Sequence, residues 1–168
     1  MRKFTTYLIA ATLCLLMTAQ GFAQENILPE DDVPMSLQGY FYSTYKNAKA
    51  VQWTSVDNIG EKLIRVTFSM PDADKNVLLD MKGNVQEEIS IKKKDNIDYI
   101  MSSKSLDKYP GGKVLALRKV TKFNLQGVTV PQSYYEVSVK NGREIVYVYF
   151  DDDKQLMTNE NVFNLAVN

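Results

Sequence analysis

The sequence predicts an α+β chain built as two tandem units, each a helix followed by four strands. Two observations carry that expectation: apolar residues at three- to four-residue spacing give way to strict alternation, and the whole series then occurs a second time. The chain has 168 residues, 45% hydrophobic and 24% charged, which is enough to bury a core and unlike a disordered segment. Its 20 basic and 20 acidic side chains leave no basic footprint, so no nucleic-acid partner is expected. It contains no histidine, the commonest general base and metal ligand.

Residues 1–23 read as a signal peptide. Arg2 and Lys3 give a positive start, Tyr7 to Met17 are apolar, and Gly21-Phe22-Ala23 sets small residues at a cleavage spacing. The apolar run falls short of the roughly 20 residues a membrane span needs, so no stable membrane anchor is expected after cleavage. Cys14 lies inside that run and is followed by more apolar residues, which argues against a lipid anchor. Cleavage before Gln24 removes Arg2, Lys3 and Cys14, leaving 18 basic groups against 20 acidic ones and no thiol for catalysis or disulfides. The expected destination is the periplasm or the extracellular space.

Residues 24–33 are acidic, carry Pro29 and show no period, so a flexible leader is expected. The first unit spans 34–92. Leu37, Phe41 and Tyr45 at four-residue spacing predict a helix from Pro34 to Asn47, with Asp31 and Asp32 ahead of its positive end. Val51 and Trp53 alternate with polar residues over 50–56, and Ile64, Val66, Phe68 and Met70 over 63–70. Pro71 to Asp74 is turn chemistry. Strands 76–80 and 85–91 follow, separated by Lys82-Gly83-Asn84, with Val85, Ile89 and Ile91 expected on one side. The second unit spans 93–168, with a helix over 96–107 carrying Ile97, Ile100 and Met101. Strands are expected at 113–123, 134–140, 144–151 and 155–161.

The two units align residue by residue. Tyr45, Lys49, Ala50, Val51 and Trp53 match Tyr109, Lys113, Val114, Leu115 and Leu117 at a shift of 64. Leu63, Val66, Phe68, Val77, Leu79, Asp80 and Val85 match Tyr134, Val137, Val139, Val148, Phe150, Asp151 and Leu156 at a shift of 71. One longer loop, Asn124 to Gln132, accounts for both registers.

Two such units behind a signal peptide, Phe41 and Tyr45 with Trp53 eight residues on, Tyr109-Pro110 opening the second unit, and a strand ending in Asp before a turn in both resemble the PepSY-like proteins. These secreted bacterial proteins are described as beta-lactamase-inhibitor-like. The resemblance covers roughly Val33 to Asn161. It implies a single antiparallel sheet of up to eight strands with both helices on one face and the other face open, a protein-binding surface in some members. The chain departs from the pattern at Lys46, where the second unit has Pro110, and at Lys154, where the first has Gly83. It also lacks the inhibitor's disulfides, and none of its residues matches an inhibitory contact.

On that arrangement Ile64, Val66, Phe68, Val77, Leu79, Tyr135, Val137, Val139, Val148 and Phe150 are expected to share the helix-covered face as one core. Trp53 and Leu117 would lie beside them, with Phe41 and Tyr45 packing down from the first helix. Asn141-Gly142 predicts a type I′ hairpin pairing Lys140 with Arg143 and Glu136 with Tyr147. Tyr134, Glu136, Tyr147 and Tyr149 then share the opposite face, with Arg65 equivalent to Glu136 in the first unit. These five residues are the candidate site for a protein or peptide partner, because tyrosine gives large contact area with a polar tip.

Catalytic motifs are thin. Asp72-x-Asp74-x-Asn76 opens like a calcium loop but has Val77 and Gly83 where Gly and Glu are required, and Asp151 to Asp153 reads as a solvated turn. With no His, no mature Cys and no G-x-S-x-G, no nucleophile constellation is visible, and no cofactor or metal is expected. The expected function is an exported non-catalytic binding module; the alternative is a carboxylate- or metal-dependent periplasmic hydrolase.

Overall fold

Eight strands join in one antiparallel sheet, each neighbour in sequence being a neighbour in space, in the computed structural model, which describes residues 25–58, 60–92, 97–123 and 130–158. The signal peptide lies outside the described residues. In chain order come β1 (Glu25–Leu28), a 3₁₀ turn (Glu30–Asp32), α1 (Met35–Thr44), β2 (Lys49–Asn58), β3 (Glu61–Ser69), β4 (Ala73–Asp80), β5 (Val85–Lys92), α2 (Tyr99–Lys108), β6 (Lys113–Lys122), β7 (Gln132–Asn141) and β8 (Glu144–Phe150). The alternation read from the sequence becomes a buried face on β3, where Ile64, Val66 and Phe68 are buried, and on β4, where Val77 and Leu79 are.

The leader is ordered from Glu25, not flexible. β1 pairs with β2, Leu28 opposite Trp53, and Val33 is buried in the first core. The Gln38 amide on α1 donates to the carbonyls of Glu30 and Val33, which supplies hydrogen bonds the aperiodic sequence does not announce.

The two units repeat at the level of hydrogen bonds. Lys49 opposite Ser69 and Trp53 opposite Val66 become Lys113 opposite Lys140 and Leu117 opposite Val137, and a bulge lies between these two pairs in each unit. The Asp80 turn, in which Asp80 N–H donates to Asn84 O and Asn84 N–H to Asp80 Oδ1, recurs at Asp151 and Gln155. Gly83 has a φ of +91° there, and Lys154 takes its place at +58°. Lys154 accepts a conformation glycine adopts freely while its ammonium reaches Asp98.

Three further expectations about strands and turns need correction. The β7–β8 turn centres on Gly142-Arg143, with Asn141 opposite Glu144, so Glu136 faces Tyr149 instead of Tyr147. Only Gly142 has positive φ, as a type II′ turn requires and a type I′ turn does not allow. Because the slip is two residues, every side chain keeps its predicted face. A bulge at Leu78/Leu79 moves Val85 onto the inner face while Ile89 and Ile91 stay on the outer one. Leu156 forms only an isolated bridge to Phe150, equivalent to Val85 on Leu79, where a strand over 155–161 was expected; 159–161 lie outside the described residues. Of the apolar residues on α2, Ile100 is exposed and Met101 is the buried anchor.

The core is two clusters, not one. α1 sets Leu37 and Phe41 over Trp53, Val66 and Phe68, whereas α2 sets Met101 over Leu117, Val137, Val139 and Phe150. Between them the inner face is polar, with Lys75, Ser90, Lys119 and Tyr135 in one cross-strand row over β4 to β7.

Asp98 caps α2, accepting from the backbone N–H groups of Ile100 and Met101, while Lys154 Nζ donates to its other oxygen at 2.7 Å. The Lys154 hydrogen bond foremost, with these backbone donors, holds the carboxyl below its usual 3.8 against the opposing effect of burial. A carboxyl lowered in the folded state gives its full stabilisation above its unfolded pKa and loses it as pH falls through the folded value. Asp98→Ala is therefore expected to cost about 1 kcal/mol at neutral pH. Urea unfolding at neutral pH and near pH 2 should show the gap between variant and wild type narrowing on acidification; an unchanged gap would contradict the cap.

Candidate interaction surface

Strand alternation puts Arg118 and Val120 on β6, Tyr134 and Glu136 on β7, and Tyr147 and Tyr149 on β8 onto the face opposite the helices. Register brings them together: Tyr134 lies opposite Val120, and Glu136 is flanked by Arg118 on one side and Tyr149 on the other. The Tyr134 and Tyr149 rings meet edge to face with centroids 6.2 Å apart, a preferred aromatic geometry. Arg118 Nη1 donates to Glu136 Oε1 at 2.9 Å, and the Glu136 side chain is only 12% exposed. Tyr147 is 47% exposed at the rim.

Electrostatics keep the two phenols of this cluster neutral and protonated. Burial first, then the Glu136 carboxylate, raises the phenol pKa of both Tyr134 and Tyr149 above the usual 10.0. Both remain hydroxyl donors across the physiological range and are poor nucleophiles. The Arg118 Nε has no hydrogen-bond partner among the described residues. Within the same set, no group of three His, Cys, Asp or Glu side chains could hold a metal ion.

The architecture has solved counterparts. A BLIP-like protein from Bacteroides fragilis matches 78% of this chain and 85% of its own at 18% identity, with a TM-score of 0.56. The chain has the BLIP-like fold. A DUF2874 family protein from Bacteroides ovatus matches over 74% of this chain and 84% of its own at 16% identity and TM-score 0.55. A protein from Bacteroides eggerthii described as periplasmic matches over 75% and 86% at 14% and 0.56. No family model matches the chain, and no curated protein is similar to it.

Within this BLIP-like sheet, four of the five expected site residues gather and one does not. Tyr134, Glu136, Tyr147 and Tyr149 lie on adjacent β7 and β8, whereas Arg65 lies on β3, four strands from β7. At about 4.8 Å per strand, that is close to 20 Å away. Repeat equivalence gave Arg65 the right face but the wrong neighbourhood. Arg118, which the sequence reading missed, is the cation beside Glu136. Leu117 matches Trp53 and Val137 matches Val66, but only the observed strand register, Trp53 opposite Val66 and Leu117 opposite Val137, sets Arg118 opposite Glu136, so the sequence alone carried no signal for it. Ile89 and Ile91 extend the same face across β5, Ile89 opposite Val120 and Ile91 opposite Arg118.

Proposed function

We propose that the chain is an exported, non-catalytic binding module that holds a protein or peptide on the outer sheet face around Tyr134, Tyr147 and Tyr149. The observation that carries this reading is the edge-to-face tyrosine pair beside the Arg118–Glu136 ion pair, on the face opposite both helices. Tyrosines supply rigid, amphipathic contact area, and a pre-paired arginine and glutamate fix register without leaving a free charge to desolvate. The sequence features of a signal peptide and the periplasmic description of a same-fold neighbour support export.

The hydrolase alternative needs carboxylates poised in a cleft, and three of the partly buried ones are already paired with cations. Glu136 is paired with Arg118, Glu88 with Lys75 and the Tyr45 hydroxyl, and Asp98 with Lys154. That favours the binding module.

Replacing Tyr147 and Tyr149 together by Ser should leave the circular-dichroism spectrum unchanged. It should weaken capture of the partner from the organism's envelope extract by about tenfold or more, the usual scale for central interface tyrosines. If the folded double variant captures every wild-type partner equally well, the outer-face reading fails.

A further inference from the structure

The polar seam between the two cores opens as a cleft of about 470 Å³ on the helix side of the sheet. That is the size of a small-molecule site. Its floor includes Met101 and Leu117 from the second core, and four ammonium groups, Lys75, Lys92, Lys119 and Lys154, face it against only two carboxylates, Glu88 and Asp98. Lysines on the inner face of central strands are unexpected. Lysine guards sheet edges, but β4, β5 and β6, which carry Lys75, Lys92 and Lys119, are interior strands, each hydrogen-bonded on both sides. An apolar row here would have fused the two clusters into one core.

The four lysines fall into two kinds. Lys75 is bound to Glu88, which also accepts from the Tyr45 hydroxyl at 2.9 Å, and Lys154 is bound to the capping Asp98; both carboxylates are about a quarter exposed. Lys92 and Lys119 instead reach out to Asp72 and Asp152, on the turn before β4 and the turn after β8, whose side chains are 57% and 60% exposed. Exposed pairs of this sort contribute at most about 1 kcal/mol, so an incoming anion can replace their carboxylates. Lys119 also lies over the Tyr135 ring, 5.2 Å from its centroid, which leaves an aromatic wall beside the charge.

We propose that this seam binds a small organic anion with an apolar body, its charged group taken by Lys92 and Lys119 and its apolar part lying toward Met101 and Leu117. The site is on the opposite face from the tyrosine cluster, so it stands or falls independently of the outer-face reading. Octanoate is a suitable probe, with 1-octanol and inorganic phosphate carrying the chain and the charge separately. In low-salt titrations followed by amide NMR, octanoate should shift Ser90, Met101, Leu117 and Lys119 in the wild-type protein. Lys92→Gln with Lys119→Gln should weaken it tenfold or more, since each charge-assisted hydrogen bond contributes on that scale. Lys140→Gln, on the other face, should change nothing, and the remaining amides of the double variant should report an intact fold. Octanoate shifts absent from the cleft, octanoate affinity retained in the double variant, or equal affinity for octanol or phosphate would each overturn the proposal.

Discussion

Phe68→Ala is expected to lower the unfolding free energy by about 3 to 5 kcal/mol, the usual cost of emptying a buried aromatic site. Phe68 is 2% exposed, with its ring 4.9 Å from that of Phe41 and 4.7 Å from that of Tyr45. The alanine variant loses apolar burial and both aromatic contacts, and the rigid β3 backbone between β2 and β4 restricts collapse into the void. The urea midpoint measures this directly, and a shift below about 1 kcal/mol would show that α1 does not pack where described.

Phe150→Ala should cost about as much, 3 to 5 kcal/mol, through the other cluster. Phe150 is fully buried with Val137, Val139 and Met101, at the last position of β8, where its backbone also bridges Leu156. The two cores share no buried residue, so the double variant should show nearly additive losses, within about 0.5 kcal/mol. A coupling well above that would mean that the polar seam does not separate them.

The fold was legible because its signals are local and doubled. Alternation at Ile64, Val66 and Phe68 fixed a face without knowledge of the partner strand, and the recurrence of that pattern at Val137 and Val139 fixed it again. What escaped is set by single-residue events. The bulge that separates Val85 from Ile89 leaves no mark on hydrophobicity, and the choice between turns on Asn141-Gly142 and Gly142-Arg143 depends on one φ angle. The division of the core escaped because Lys75, Lys92 and Lys119 occupy alternating positions that read as ordinary polar residues until the sheet shows them facing inward. The candidate site was legible in its tyrosines, whose face survives a two-residue slip, but not in Arg118, which needs the β6–β7 register.

The most direct test of the outer face as a binding surface is site-specific photocrosslinking in the organism's envelope extract. A benzophenone side chain is placed at Tyr147 in one variant and at Met35, 86% exposed on the helix side, in another. The account predicts a discrete crosslinked adduct from position 147 and none from position 35; an adduct from position 35 alone would contradict it.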